Sequence, residues 1–184
     1  MKEHLTSAIV LNVKPYKEYD RRVELYTKDF GLLKVKVIGG RKILSKLSPH
    51  LDVGSLIRAR FVQKSQFTLV DALEENKFPN LKKDAKKAVL VFRLLFLIRS
   101  LVPEAVPDSP FWHFFLRSLR EGRIDLKIFL KLLGYNPTLA ECDHCRSRNP
   151  AYFHVLSQIF LCGSCSFRFP SVELLFIQDD SGRN

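Results

Sequence analysis

Near residue 78 the hydrophobic period of this chain changes from that of strands to the roughly 3.6-residue period of helices, so two kinds of regular structure must follow one another. From Ala8 to Glu75 the pattern is short and nearly alternating, with turn residues between the runs. Ile9, Leu11 and Val13 fall on one side of the first run, and Val23 and Leu25 on one side of the second. In the third, Leu33, Val35 and Val37 oppose Lys34 and Lys36; in the fourth, Ile57, Ala59 and Phe61 alternate with Arg58 and Arg60. Asp29-Phe30-Gly31 supplies a tight turn, and Phe67 to Ala72 closes a hairpin with the fourth run. Five short strands in about 70 residues suit a small closed barrel, SH3-like or of the five-stranded OB type. Periodicity does not separate the two.

After Phe78-Pro79-Asn80 the spacing predicts helices. The first is capped by Asn80 and runs from Leu81 to Leu101; the second is capped by Ser109, with Pro110 in its first turn, and runs through Trp112 to Arg120. Gly122 ends it, and Gly134 closes a third helix over Ile124 to Leu133. The expectation is an α+β chain with a β domain at 1–79 and a helical domain at 80–184. With 46% hydrophobic and 27% charged residues, both parts belong to a globular protein rather than a disordered tail. The longest apolar run, Ala88 to Val102, contains Arg93 and Arg99 and is too short to span a bilayer, so no membrane partner is expected. No secretory signal stands at the N-terminus, which predicts a cytoplasmic protein. In that compartment the four cysteines are expected to hold a metal rather than form disulfides.

Cys142-Asp143-His144-Cys145 and Cys162-Gly163-Ser164-Cys165 form C-x2-C-x16-C-x2-C, the spacing of a four-thiolate zinc site. Each turn puts two sulfurs on one side of a knuckle, and the 16 residues between are enough for a hairpin that brings the knuckles together. Four protein ligands leave no open position, so Cys142, Cys145, Cys162 and Cys165 predict structural Zn²⁺. A redox pair of the thioredoxin kind needs a βαβ setting that is missing here, and His144 is expected at the surface rather than as a ligand.

The formal charge is +11, carried by 30 basic against 19 acidic residues. Such an excess favours polyanions. Between Phe30 and Val70 lie Lys34, Lys36, Arg41, Lys42, Lys46, Arg58, Arg60 and Lys64 against one acid, Asp52. Lys14, Tyr16, Lys17, Arg21 and Arg22 cluster in the expected first inter-strand loop. A solvated face is the plain reading of a charge run, but a strand face with flanking basic loops also suits phosphates. Tyr16, Tyr19 and Tyr26 are the stacking candidates on the β domain. No catalytic group is expected: Gly39-Gly40 lacks phosphate-loop spacing, no histidine sits in a nucleophile pattern, and the acids are too scattered for a metal-dependent nuclease. His113, in an aromatic helical segment, is expected to pack.

Several segments, in order, resemble the RecO family of bacterial recombination mediators. They are Ala8 to Leu11, Pro15 to Arg21, Leu25 to Gly31, the basic loop Gly39 to Leu47, and Leu132 to Pro137 leading into the first knuckle. The resemblance implies an N-terminal OB barrel followed by a helical domain with the zinc knuckle. It also implies binding of single- and double-stranded DNA, annealing of complementary strands, and work with RecR to replace single-strand-binding protein by RecA, without nucleotide hydrolysis, in a bacterial, nucleoid-associated setting. On this chain the DNA contacts would be Lys14, Lys17, Arg21, Arg22, Lys34, Lys36, Arg41, Lys42, Lys46, Arg58 and Arg60. The acidic, apolar-ended tail of single-strand-binding protein would dock at Arg117, Arg120, Arg123 and Lys127. Family members usually carry a further helical stretch after the second knuckle, whereas 19 residues follow Cys165 here, so a reduced helical domain is expected. The competing reading is a zinc-ribbon protein that binds RNA or a ribosome.

Overall fold

The alternating runs form five strands: β1 (Lys2–Tyr16), β2 (Asp20–Thr27), β3 (Gly31–Val37), β4 (Leu56–Gln63) and β5 (Phe67–Asn76). The structure, a computed structural model, describes residues 2–178. The strands close into a barrel in the order β1-β2-β3-β5-β4. β1 is longer than the alternation suggests because it serves two neighbours: Lys2 to Ile9 pair with β4, and Ala8 to Tyr16 pair with β2. A register shift between Val10 and Asn12 bends the strand between them. The barrel closes where β3 meets β5 in parallel, at Lys36 opposite Thr68.

The interior holds Ala8, Val10, Val23, Leu25, Leu33, Val35, Val37, Ile57, Ala59, Phe61, Leu69 and Ala72. Each fully buried aliphatic or aromatic side chain contributes about 1.5–3 kcal/mol. Ala8 and Val10 belong to the interior cluster, while Ile9 and Leu11, alternating with them, are also buried but lie outside it. Alternation could not rank the faces, because α2 packs on β1 from outside and makes both apolar.

The helices are α1 (Pro79–Lys82), α2 (Ala85–Leu101), α3 (Ser109–Glu121) and α4 (Leu126–Leu132). The expected helix from Leu81 is broken at Lys83 and Asp84, and its cap is Asp84, whose carboxylate accepts the amides of Lys86 and Lys87. Asp108 rather than Ser109 caps α3, accepting from the Phe111 amide at 2.8 Å. Asp125 caps α4, two residues beyond the expected start at Ile124. In all three cases a carboxylate has taken the cap, where it also meets the positive end of the helix.

The chain divides into two compact units between Ile124 and Asp125. The change of period at residue 79 therefore marks a change of secondary structure, while α2 and α3 pack as part of the barrel unit. Tyr26, on the outside of β2, lies against Phe111, Trp112 and Phe115 of α3, which explains the grouping. The second unit contains α4, a small sheet of order β7-β6-β8, built from β6 (Tyr152–His154), β7 (Ile159–Leu161) and β8 (Leu174–Phe176), and a single turn, α5 (Gly163–Ser166). Its described part is thus mixed rather than purely helical. Among the described residues no helix is long and apolar enough to cross a membrane.

Candidate nucleic-acid interface and metal centre

Two basic segments of the first unit meet at one end of the barrel. β1 and β2 are joined by a short turn in which Lys17 has φ +53°. Lys14 and Tyr16 are strand residues rather than loop residues, and Lys14 stands opposite Arg22, Pro15 opposite Arg21, and Tyr16 opposite Asp20. The loop after β3, residues 38–47, folds back onto this hairpin. Asp20 anchors it, one carboxylate oxygen accepting the Gly39 amide at 2.9 Å and the other facing Lys36 Nζ at 3.0 Å. The Gly39 amide first, and then Lys36, hold the Asp20 carboxyl below its ordinary range.

The Arg41 amide donates to the Tyr19 carbonyl at 2.8 Å, and its guanidinium to the Lys17 carbonyl at 3.3 Å. Gly40 has to be glycine for space: a Cβ there would come within 2.9 Å of the Val37 side chain and 3.3 Å of the Arg21 stem. Two tyrosines carry the cations. Arg22 lies 4.4 Å and Lys17 5.8 Å from the Tyr16 ring, and Lys42 lies 5.8 Å from the Tyr19 ring. Each contact contributes on the order of 0.5–1 kcal/mol at an exposed site and presents the charge pre-positioned.

The strand cations stand differently. Lys34 is paired with Glu104, Lys36 with Asp20, Arg58 with Glu75 at 2.8 Å, and Arg60 with Glu3 and Asp71 at 3.8 and 3.6 Å. One acid lies between Phe30 and Val70 in the sequence, yet these partners come from β1, β2, β5 and the segment after α2. Lys14, Lys17, Arg22, Arg41, Lys42 and Lys46 take part in no ion pair among the described residues. The uncompensated charge is thus concentrated at the hairpin and loop end. Arg21 is set lower, its Nε buried beside Gly40. Tyr26 is excluded from stacking because it is buried against α3; burial first, and then Asp108, push its hydroxyl well above the usual tyrosine range. Asp20 was not singled out from sequence, though an acid within a run of basic turn residues was the available signal.

In the second unit the four cysteines converge. β6 and β7 form the hairpin that returns the second knuckle to the first, as the spacing requires. The first knuckle is fixed by Arg146 N–H to the Cys142 carbonyl at 2.8 Å and by two bonds to the hairpin: Asp143 N–H to the Phe160 carbonyl and Phe160 N–H to the Asp143 carboxylate, both 2.8 Å. The second lies at the start of α5, where the Cys165 and Ser166 amides donate to the Cys162 carbonyl. The four Sγ atoms all lie within 4.8 Å of one another, with Cys145 and Cys162 at 3.6 Å, and all four thiols are free. Bonds of about 2.3 Å to a central tetrahedral ion would set sulfur–sulfur edges of about 3.8 Å, so the set fits one ion.

Ionisation in the cluster is uneven. Burial works to raise the Cys142 thiol, but the backbone groups of Cys162, Cys145 and His144 outweigh it and bring it down to about 6. Burial first, and then the neighbouring cysteines, push Cys165 up to about 12. A divalent cation held by the four sulfurs would favour their thiolate forms. His144 is not a fifth donor: its Nε2 accepts from the Arg168 guanidinium at 2.9 Å. His154 is a satisfied core histidine, with Nε2 on Glu173 at 2.8 Å and Nδ1 accepting the Ser157 amide at 3.2 Å. His113, expected to pack, is exposed, and its Nδ1 meets the Ser109 carbonyl at 2.7 Å. Of the tail-docking candidates, Arg117 and Arg120 are exposed on α3, Arg117 lying 5.8 Å from the Phe114 ring, and Arg123 is exposed just beyond the helix. Lys127 belongs to α4 of the other unit.

The family model described as "Recombination protein O N terminal" matches residues 1–74, the barrel strands and the loop that carries the cations. The chain is similar to RecO proteins along most of its length. Over 174 residues it is 29% identical to the DNA repair protein RecO of Thermodesulfovibrio yellowstonii, covering 88% of this chain and 69% of that protein. It is 28% identical to the protein of the same name from Caldanaerobacter subterraneus, covering 88% and 70%, and 26% identical to that of Syntrophobacter fumaroxidans, covering 79% and 62%. The chain therefore spans between 62% and 70% of the length of these RecO relatives.

Proposed function

We propose that this chain is a DNA-binding recombination mediator that binds single- and double-stranded DNA, anneals complementary strands, and with RecR helps RecA replace single-strand-binding protein. The observation that carries the reading is the convergence of Lys17, Arg22, Arg41 and Lys42 around Tyr16 and Tyr19, with none of the four in an ion pair among the described residues. We read the barrel as OB-type from its strand order, and residues 1–79 as the module that meets DNA. Lys14 and Lys46 extend the cluster, Arg21 supports it from below, and Lys34, Lys36, Arg58 and Arg60 form a weaker flank whose charge is shared with acids.

Annealing needs two polyanions brought close without their bases being read. Cations on a fixed loop neutralise phosphate on either strand and leave the choice of partner to base pairing. No residue is assigned a catalytic role. Cys142, Cys145, Cys162 and Cys165 would hold Zn²⁺, which supplies cross-linking of the two knuckles. Arg117, Arg120 and Arg123, exposed on or just beyond α3, are proposed for the acidic tail of single-strand-binding protein. The protein would act in the bacterial cytoplasm, at the nucleoid.

The test is strand annealing on DNA coated with single-strand-binding protein, with and without RecR, beside a competition of single-stranded DNA against RNA. Faster annealing and a preference for DNA are expected. Equal or stronger binding of RNA, with no annealing, would overturn the reading.

A further inference from the structure

At the tip of the loop after β3 stand two aliphatic side chains in full contact with solvent: Ile43 is 101% and Leu44 92% exposed. Neither helps the loop fold. Its shape is held from below by Asp20 on the Gly39 amide, Tyr19 on the Arg41 amide, the Lys42 and Ser45 amides on the carbonyls of Gly39 and Lys42, and the Ser48 hydroxyl on the Gly40 carbonyl. An anchored loop with an apolar tip offers that surface to something outside the chain. Tyr19, Arg41, Lys42, Ile43 and Leu44 line an open depression of about 730 Å³ there.

The surroundings state the chemistry of the occupant. Arg41 and Lys42 directly precede the two aliphatics, and Lys17 and Arg22 stand on the hairpin that anchors the loop. Of the two acids at this anchor, Asp20 is already held by Gly39 and Lys36, and Glu18 is engaged with the Tyr19 hydroxyl. An apolar tip among unpaired cations matches a ligand with phosphate outside and flat apolar rings inside. Apolar side chains set between base steps are a known way for proteins to unstack and kink a duplex.

We infer that Ile43 and Leu44 form a wedge that enters the base stack of DNA whose phosphates are held by Lys17, Arg22, Arg41 and Lys42. The inference rests on the DNA-binding reading and adds a contact to the bases that the phosphate contacts do not supply. It gives annealing a further step: a wedge that opens a base step helps mismatched or partly paired strands separate and pair again. The loop is short and tied at its base, so the two side chains are presented ready-placed.

The test is the full chain on a duplex with 2-aminopurine at one step, followed by fluorescence, while affinity is followed by anisotropy across a salt series. Wild type is expected to raise the fluorescence. Ile43→Ser/Leu44→Ser should lose about fivefold or more of that rise while keeping the salt slope, since only phosphate contacts set it. Ile43→Met/Leu44→Met, which keeps an apolar tip, should restore the rise. DNA binding by wild type with no rise, or an undiminished rise in the serine variant, would overturn the wedge and leave the DNA-binding reading standing. No binding of DNA by wild type at low salt would remove both. If the serine variant changed only self-association in sedimentation, the tip would be a contact for a second copy and the wedge would be wrong.

Discussion

Replacing Arg41 and Lys42 by alanine tests the proposed interface most directly, because both belong to the group of four cations gathered where the first hairpin meets the loop after β3. Lys17, Arg22, Arg41 and Lys42 form one group, while Lys34, Lys36, Arg58 and Arg60 are each held by an acid. If four phosphates are neutralised on a single strand, log affinity falls against log salt with a slope of about −2.8, and the double variant, with two contacts left, gives about −1.4. Between about 50 mM and about 200 mM salt this is a loss of roughly 50-fold for wild type against roughly 7-fold for the variant. The assay is fluorescence anisotropy with a labelled oligothymidine over a potassium chloride series. Lys34→Ala and Arg58→Ala are the internal controls: each removes a paired cation, so the slope should stay near the wild-type value. Two results would refute the reasoning. One is a wild-type slope near −7.7, about what all eleven basic candidates together would produce; the other is an unchanged slope in the Arg41→Ala/Lys42→Ala protein.

Four other outcomes are expected. Metal analysis should find one zinc per chain, and Cys165→Ser should lose it together with the cooperative melting of the second unit, whereas an intact unit without metal would sink the site. Gly31→Ala should be strongly destabilising, by several kcal/mol, because φ is +66° and the added Cβ would lie 2.1 Å from the Val106 carbonyl oxygen; a melting point within a few degrees of wild type would contradict this. Tyr26→Phe should be neutral or raise the melting temperature slightly, since the Tyr26 hydroxyl is buried with no hydrogen-bond partner among the described residues; a loss of stability would show that the hydroxyl is bonded. Asp20 has a lowered carboxyl, so its contribution is present at neutral pH and fades as pH falls below about 4 through its folded value. Asp20→Asn should therefore show a smaller acid-limb decline in thermal stability than wild type, and an identical decline would exclude Asp20 as its source.

The four-cysteine cluster was legible without a fold because both knuckles are local: two cysteines three residues apart face one way, and a hairpin of the right length reunites them. The barrel strands were legible for the same reason, since alternation is a property of neighbours along the chain. Caps were read less well. Asn80 and Ser109 have the right chemistry, but the carboxylates of Asp84 and Asp108 occupy the sites. Which face of the first strand turns inward was not legible, because Ile9 and Leu11 are buried nearly as fully as Ala8 and Val10.

Charge shows most sharply what lies beyond sequence. The total of +11, the cluster of cations in the β region and the four-cysteine spacing are sums and intervals, and the chain alone determines them. Which cations remain free depends on acids that are distant along the chain and adjacent in space. Glu104 lies seventy positions from Lys34 and beside it in the structure. Tertiary structure alone decided that the strand lysines and arginines are compensated, that the loop after β3 is tied to the first hairpin through Asp20, and that Ile43 and Leu44 stand in water. Coulomb energy follows distance through space, and a sequence records only distance along the chain.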